Sequence, residues 1–298
     1  MGNFFAEGKT AALKNYLRIT REEGAMLATR AIIVFAIFAL RSFPAFAADG
    51  ITAPNFSSAS AGWTTPIAGD FVPVPGAPGP VLSDSRYPFL NNVDANARGM
   101  TPNYRIGDLA NPNLRQRVRD AMKKDNDEVI AGKIAFTPST SCVPSGVPWF
   151  LLQPTNLYFV QTAKEVVIMQ NYDSQVRHVF LNVAHSANLK PSWYGESVGH
   201  YEGDALVVDT IGLSSKTFVD PYRTPHSEKL HVIERWEVIE EGKTLEVTMT
   251  VDDPETYYQP WQAVLRYRQA RVPLLEAVCA ENNLQFDYHM PVADKPDF

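Results

Sequence analysis

Three histidines lie in turn-rich segments of a chain that also supplies carboxylates. His185 is part of A-H-S-A-N, His200 of G-H-Y-E-G and His226 of P-H-S-E-K. An imidazole titrates near neutral pH, so a carboxylate such as Asp209 or Glu228 beside it orients the ring for general acid or base chemistry. The sequence therefore predicts His185 and His226 as proton-transfer groups. A structural role as hydrogen-bonding side chains is the alternative for each histidine.

Aromatic side chains are concentrated near the same histidines. A tyrosine hydroxyl can donate a hydrogen bond to negative charge that develops on a substrate, and Tyr194 or Tyr201 is predicted to do so. Trp193, His200 and Trp261 are predicted, together with Tyr201, to line a pocket for a small apolar or aromatic molecule. Packing in the core is the alternative for the aromatic residues.

Two carboxylates stand in otherwise apolar rows of predicted strands. Side chains alternate between the faces of a strand, so Asp209 shares a row with valine and isoleucine, and Glu234 shares one with leucine, valine and tryptophan. A carboxylate in such a row must be paired, hydrogen-bonded or shifted in pKa. We predict that Glu234 pairs with Arg177 and that both contact a ligand, with a buried scaffold pair as the alternative. For Asp209, the alternative is a strand-end side chain that reaches solvent.

The spacing of the histidines does not favour a metal site. His226 and Glu228 form H-x-E, which points both side chains to the same face of a strand, and His185 could complete a set of three ligands. However, His231 is five residues from His226 and would point to the opposite face. The sequence therefore predicts neither a metal ion nor a cofactor.

A run of short β segments separated by tight turns begins at Asn156. Two-residue joins such as Gly203-Asp204 force antiparallel neighbours. About eight sequential strands are enough to close a barrel around one small ligand. The sequence thus predicts an all-β protein with one or two helices, built as an antiparallel up-and-down, lipocalin-like β-barrel; a β-sandwich is the alternative. The predicted strands are 156–163, 165–172, 175–182, 198–202, 205–211, 229–239, 244–252 and 262–268.

The chain divides into three predicted regions. Residues 1–47 are a leader, 48–139 form an extended Pro/Gly-rich arm followed by a helix, and 140–298 form the barrel domain. The arm has little regular periodicity, but its aromatic residues predict that it lies against the barrel. Asn111-Pro112 is predicted to begin the helix, because asparagine caps well and proline fits the first turn, and Gly132 is predicted to end it.

The leader has the features of a secretory signal peptide. Residues 31–40 are an apolar stretch, preceded by Arg30 and followed by the A-x-A signal at 45–47, and they are too few for a membrane span of about 20 residues. Cleavage after Ala47 would export the protein to the periplasm or the medium. The true start is predicted at Met26, which gives the leader an ordinary length. An amphipathic N-terminal helix that belongs to the fold is the alternative.

Two cysteines and an acidic balance limit the possible partners. Export to an oxidising compartment favours one disulfide between Cys142 and Cys279, with two buried free thiols as the alternative. The full chain has a net charge of −6, and removal of a leader with six basic and three acidic residues takes it to −9. Such a surface repels phosphate backbones and anionic lipids, so we expect no nucleic-acid partner and no membrane insertion.

Several motifs follow one another in order between residues 142 and 283. They are C-V-P-S-G-V-P at 142–148, V-R-H-V-F-L-N at 176–182, P-S-W-Y-G-E-S-V-G-H-Y-E-G-D-A-L-V-V-D-T at 191–210, P-H-S-E-K-L-H-V-I-E-R-W at 225–236, T-V-D-D-P-E-T-Y at 250–257, P-W at 260–261 and V-C-A-E-N-N at 278–283. Together they resemble a family of exported bacterial proteins of unassigned function. The resemblance implies export and adds no catalytic assignment. Tyr201 stands where many relatives carry tryptophan, and N-V-A at 182–184 replaces D-G-R, so the turn before His185 is expected to differ.

These features together predict an exported enzyme that uses acid–base chemistry on a small apolar or aromatic molecule, as a lyase, isomerase or hydrolase. A non-catalytic periplasmic protein that binds a small hydrophobic ligand is the main alternative. A structural or envelope-interaction protein is the third. The enzymatic prediction requires that the loops carrying His185 and His226 rise from the same rim of the barrel and share a cavity.

Overall fold

The computed structural model describes residues 53–57, 62–64, 69–89, 97, 105–133, 135–138, 142–153, 155–170 and 176–270. The chain divides into two units, Met1–Thr52 and Ala53–Phe298, and all the described residues belong to the second. The leader with its cleavage signal and the tail with Cys279 lie outside the described residues. The signal peptide and the disulfide between Cys142 and Cys279 therefore stay predictions.

Within the described residues, ten β-strands form one sheet, and nine of them close into a barrel. Two short strands come from the arm: β1, Trp63–Thr64, and β2, Val72–Pro73. The other eight are β3, Asn156–Gln161; β4, Glu165–Gln170; β5, Val176–Leu181; β6, Glu196–Glu202; β7, Ala205–Ile211; β8, His231–Ile239; β9, Thr244–Asp252; and β10, Trp261–Gln269. Strands β3 to β10 pair in chain order, and β1 pairs with both β3 and β10, which closes the ring. The predicted all-β barrel is confirmed.

Alternation of buried and exposed side chains explains why these segments form the wall of a barrel. In β9, Leu245, Val247, Met249 and Val251 are fully buried, as their parity predicts, whereas the residues that follow each of them are partly exposed. A period of two places one row of side chains inside the barrel and the other row outside. Strands β4 and β5 show the same alternation.

One pair of neighbouring strands departs from the predicted antiparallel order. β5 and β6 are parallel, with Val179 opposite Ser197. The connection 182–195 therefore returns to the end of the barrel where β5 begins, and Glu196 at the start of β6 is opposite Ile211 at the end of β7. We call this the long-loop end of the barrel, because the connection from β7 to β8 also lies there.

The arm is part of the barrel. Trp63 of β1 pairs with residues of both β3 and β10, and its indole N–H donates to the carbonyl oxygen of Phe56 at 2.8 Å. Phe71, just before β2, is also buried, and its ring centroid lies 5.4 Å from that of Trp261. The sheet therefore includes two strands from the region 48–139: β1 belongs to the closed ring, and β2 extends the sheet by pairing with β10.

The helix α1, Gln116–Ile130, turns one face to the core. Its buried residues are Val118, Met122, Asn126 and Val129. It begins later than predicted, because Asn111 caps a turn instead: its side-chain oxygen accepts from the backbone N–H of Asn113 at 2.9 Å. The predicted end is confirmed by Gly132, which follows the helix with a φ of +92°. No helix among the described residues is both long and apolar enough to cross a bilayer.

Much of the barrel interior is filled by the protein's own side chains. The buried turn Trp149–Leu152 lies against it: the carbonyl of Leu151 accepts from the hydroxyl of Tyr267 at 2.9 Å, and the carbonyl of Phe150 accepts from the side chain of Gln170. Tyr267 also stacks on Trp236, with ring centroids 6.1 Å apart. Groups that can meet a dissolved molecule are therefore found mainly on the outer wall.

Candidate functional site

An aspartate on the outer wall of the barrel binds two histidines. Oδ1 of Asp209, on β7, accepts hydrogen bonds from Nε2 of His231 at 2.8 Å and from Nε2 of His185 at 3.1 Å. The side chains of Asp209, His231 and His185 are 41%, 37% and 21% exposed, so small solutes can reach them. We call these three residues the His-Asp-His cluster.

Strand register brings the cluster together. Asp209 is opposite Ile233 of β8, so Asp209 and His231 are diagonal neighbours on one face of the sheet. Both side chains point outwards, because the alternate row of each strand is buried. His185 comes from the connection that follows β5, and it reaches Asp209 because Glu196 holds it over the start of β6.

His185 is held between two carboxylates. Its Nδ1 lies 3.0 Å from Oε1 of Glu196, while its Nε2 faces Asp209. Both ring nitrogens donate hydrogen bonds at once only when the imidazole is doubly protonated. Ser186 fixes Glu196 through its backbone N–H, at 2.7 Å, and its hydroxyl, at 2.5 Å. These bonds from Ser186, with a smaller contribution from His185, hold the pKa of Glu196 below its usual value.

His231 differs from His185 because one of its ring nitrogens is available to a substrate. Nε2 donates to Asp209, whereas Nδ1 has no hydrogen-bond partner among the residues that the structure describes. The bond to Asp209 places the ring proton on Nε2 and leaves a lone pair on Nδ1. A neutral imidazole oriented in this way accepts a proton from a bound molecule, and the carboxylate then stabilises the imidazolium.

His226 forms its hydrogen bonds with residues outside the cluster. It is 6% exposed, its Nδ1–H donates to the carbonyl oxygen of Ser227 at 2.8 Å, and its Nε2 is 2.7 Å from Oγ1 of Thr217. Burial lowers the pKa of His226, which favours the neutral ring. Glu228, its predicted partner, is exposed and forms no hydrogen bond within the described part of the chain. His226 and His185 share no hydrogen-bond partner, so their contacts do not join them in one site.

The predicted pair of Arg177 and Glu234 is confirmed, and it lies inside the barrel. Both side chains are almost completely buried; Nη1 is 3.0 Å from Oε1, and Nη2 is 2.5 Å from Oε2. Arg177 also donates from Nε to Ser197 at 3.1 Å and from Nη2 to Thr210 at 2.8 Å. These bonds use four of the five N–H donors of the guanidinium. Little capacity remains for a ligand, and the pair has the form of a buried scaffold.

Three of the predicted aromatic site residues lie at the long-loop end. Trp261 is fully buried and packs against Phe71, so it belongs to the core. The ring of Tyr194 lies 5.5 Å from that of Phe150, at an interplanar angle of 85°. Trp193 is partly exposed. Tyr194 and Trp193 directly precede β6, at the end of the barrel that carries the His-Asp-His cluster.

His200 and Tyr201 lie towards the other end of β6. Nε2 of His200 is 2.9 Å from Oε1 of Glu202, and both side chains are about half exposed. The hydroxyl of Tyr201 accepts from the side-chain amide of Gln161 at 2.9 Å. His200 and Glu202 thus form a pair of the same chemical type as His231 and Asp209, in which Glu202 also accepts from Arg235 at 2.8 Å, and they provide a control for the cluster.

These contacts do not bring together the three candidate metal ligands that the spacing allowed, which are His185, His226 and Glu228. Over the described ranges of the chain, no three histidine, cysteine or carboxylate side chains are arranged to hold a metal ion. The chemistry that the cluster does offer is proton transfer between imidazoles and a shared carboxylate.

His231 is the residue of the cluster that sequence reasoning missed. Its parity places it on the face of β8 opposite Glu234, and Asp209 lies on the matching outer face of β7. An outward histidine and an outward carboxylate on consecutive strands were therefore a usable signal. The long connection 212–230 between the two strands leaves their register undetermined by sequence, so the contact between His231 and Asp209 could not be predicted.

No protein-family model, curated protein or solved structure matches the chain. Its function therefore has to be inferred from the contacts of the cluster and of the residues around it.

Proposed function

We propose that the chain is an exported enzyme that uses acid–base chemistry on a small apolar or aromatic molecule. The observation that carries the proposal is a row of hydrogen-bonded groups on the outer wall, Glu196, His185, Asp209 and His231, joined at 3.0, 3.1 and 2.8 Å. The row ends at Nδ1 of His231, for which the described ranges of the chain offer no hydrogen-bond partner. A free imidazole nitrogen backed by a carboxylate has the properties of a general base.

In the proposed reaction, Nδ1 of His231 removes a proton from the substrate. Asp209 stabilises the positive charge that develops on the ring, because its Oδ1 already accepts the Nε2–H. The imidazolium of His231 returns that proton to another atom of the substrate in the second half of the reaction, while His185, whose ring nitrogens face Glu196 and Asp209, holds Asp209 in position. Removal of a proton at one point and delivery at another is shared by lyases, isomerases and hydrolases, which are the proposed reaction classes.

Apolar side chains beside the cluster support the proposed class of substrate. Asp209 is flanked by Ile233 of β8, which is 39% exposed, and by Val198 of β6. Phe180 of β5 is opposite Val198 and is also exposed. Phe180, Val198 and Ile233 form an apolar row on both sides of the carboxylate. This row offers contact area to a small apolar or aromatic molecule next to the base.

Export is part of the proposal and is supported by the amino-acid sequence. The apolar segment 31–40 is followed by an A-x-A signal at 45–47. In an oxidising compartment such as the periplasm, Cys142 and Cys279, the two cysteines of the chain, are proposed to form a disulfide.

Hydrolysis of p-nitrophenyl acetate tests the proposal, because an oriented imidazole accelerates the attack of water and the p-nitrophenolate that leaves is coloured. General base catalysis contributes about 10²–10⁴ in rate, so we expect His231→Gln and Asp209→Asn to be slower than the wild type by at least about tenfold. His200→Gln removes the matched histidine beside Glu202, and it is expected to stay within about twofold of the wild type.

A non-catalytic protein that binds a small hydrophobic ligand is the second candidate, and the exposed apolar row favours it. A binding protein would hydrolyse the ester no faster than His231→Gln does. Its affinity for p-nitrophenol, measured by calorimetry, would fall in Ile233→Ser and stay unchanged in His231→Gln. Equal hydrolysis rates for the wild type, His231→Gln and Asp209→Asn contradict the enzymatic proposal.

A further inference from the structure

A buried arginine at the long-loop end has no counter-ion in contact with it among the residues that the structure describes. Arg223, in the connection from β7 to β8, is 2% exposed. Its Nη1 donates to the carbonyl oxygen of Arg105 at 3.2 Å. Its Nε and Nη2 are buried and donate to no atom of the described residues. A guanidinium stays charged when it is buried, and a buried charge without hydrogen bonds is costly.

The two nitrogens that donate no hydrogen bond to a described residue lie on one edge of the guanidinium. Nε and Nη2 present N–H groups side by side, which is the geometry that binds the two oxygens of a carboxylate or a phosphate. Nη1, on the other side of the group, is already used by the backbone of Arg105. The buried edge of Arg223 therefore has the two-pronged arrangement of N–H groups that proteins use to bind oxyanions.

Two carboxyl groups, Asp220 and Asp125, act on Arg223 through charge but do not bind it. Burial has the largest effect on Arg223 and lowers its pKa, while the two acids oppose that effect. Asp220 uses its Oδ1 for the backbone N–H groups of Tyr222, at 2.9 Å, and Thr224, at 3.3 Å. Burial raises the pKa of Asp220 to about 6, and the attraction of Arg223 is the smallest of the effects that lower it. Burial also raises the pKa of Asp125.

The surrounding chain holds Arg223 in an unfavourable conformation. Its φ is +62°, in the left-handed region that disfavours a side chain such as arginine. The backbone N–H of Val219 donates to the carbonyl of Thr224 at 2.9 Å, which closes the turn around it. The hydroxyl of Tyr222 donates to Asp70 of the arm, also at 2.9 Å, and fixes the tip of the turn. Strain that is maintained by such contacts is typical of functional positions.

We propose that Arg223 binds a small oxyanion, a carboxylate or phosphate group, along the edge formed by Nε and Nη2. Since solvent does not reach this edge, the anion is taken up as the chain folds, and it exchanges slowly afterwards. The bound anion stabilises the turn beside the arm. The site shares no contact with the His-Asp-His cluster, so it does not depend on the proposed enzymatic function.

The anion content of the folded protein tests this inference. The whole chain is refolded in phosphate, in acetate or in chloride at equal ionic strength, dialysed against chloride buffer and denatured, and the released oxyanions are measured by ion chromatography. We expect about one equivalent per chain after refolding in the preferred oxyanion, and the sample that retains it separates phosphate from carboxylate. We also expect that anion to raise the thermal unfolding midpoint by about 5 °C at a hundredfold excess over its Kd.

Two variants with opposite expected effects locate the site. Arg223→Lys keeps the charge but loses the fork, and it is expected to weaken anion binding by about tenfold or more. Asp125→Asn removes a negative charge that repels the anion, and it is expected to strengthen binding by about threefold. Arg86→Lys changes an exposed arginine that already pairs with Asp84, and it should bind the anion as the wild type does.

Absence of any released oxyanion from the wild type, with the same unfolding midpoint in phosphate, acetate and chloride, overturns the inference. Wild-type anion binding by a folded Arg223→Lys protein also overturns it. If Arg223→Lys does not fold, the Asp125→Asn variant provides the test. An anion affinity of Asp125→Asn equal to that of the wild type would show that the anion binds elsewhere.

Discussion

The barrel wall carries ionic side chains on its inner and outer faces, and the two faces differ in the hydrogen-bonding capacity that those groups leave unused. Inside the barrel, Glu234 is buried with Arg177, which donates four hydrogen bonds to protein atoms. Outside, Asp209 joins two histidines, the His231 side chain is 37% exposed, and its Nδ1 has no hydrogen-bond partner in the described part of the chain. Both faces contain a carboxylate and a cationic or ionisable partner. The difference between a scaffold and a candidate site therefore lies in unused hydrogen-bonding capacity and access.

Removal of the buried carboxylate of Glu234 tests the difference between the two faces most strongly. Glu234→Ala leaves Arg177 charged and unpaired in the interior, so we expect a loss of about 3–5 kcal/mol in the free energy of unfolding, measured by urea denaturation. Glu165→Ala, which removes the exposed partner of His178, is the control, with an expected loss below about 1 kcal/mol. Similar losses for the two variants would show that Glu234 is not a scaffold residue.

The outer face should respond in the opposite way. Asp209→Asn is expected to lower the rate of ester hydrolysis by at least about tenfold, because the ring of His231 loses its orienting carboxylate. The free energy of unfolding should change by less than about 1 kcal/mol, since the bonds of Asp209 are partly exposed. Both quantities are to be measured on one preparation. A large loss of stability would place Asp209 with the scaffold.

Asp220 is a third kind of carboxyl group, because it is buried and forms no ion pair with a described residue. Burial raises its pKa from 3.8 to about 6, so its stabilising contribution is full below about pH 4 and is lost as the pH rises to about 6. In Asp220→Asn this loss is absent. We therefore expect the stability of the variant relative to the wild type to increase by about 2–3 kcal/mol between pH 4 and pH 7. Urea denaturation across this range measures it, and a constant difference would contradict the shift.

Glu196 should give the smallest effect, with the opposite dependence on pH. Bonds from Ser186 hold its pKa below the usual value, so its contribution is present above about pH 4.5 and is lost as the pH falls. Glu196→Gln is expected to cost less than about 1 kcal/mol at pH 7, because the group is near the surface. The difference from the wild type should shrink at pH 3. Unfolding curves at both pH values provide the measurement, and a difference that grows on acidification would contradict it.

Local patterns in the sequence predicted the features that depend on one strand at a time. The alternation in β9 placed Leu245, Val247, Met249 and Val251 inside, and the break that Glu234 makes in the apolar row of β8 pointed to its burial. Arg177, on β5, was the partner predicted for it, and the structure forms that pair. Such inferences work because a period of two is a property of the strand itself.

Features that depend on contacts between distant segments could not be predicted from the sequence. The contact of His231 with Asp209 follows from the register across the connection 212–230, and the turn signals in that connection do not set a register. The parallel pairing of β5 with β6 follows from the path of the connection 182–195. Asn111 has the chemistry of a helix cap, but its side chain closes a turn before α1. In each case tertiary contacts selected one of several locally acceptable conformations.

The two-residue strand β1 has a consequence for the order in which the barrel forms. It connects β3 to β10, so the ring is completed only when Trp63 meets Gln269. Pairings between such distant positions are slow to form. The strands β3–β10 would thus remain an open sheet until the arm pairs with the last of them, and this pairing would be the final step in closing the barrel.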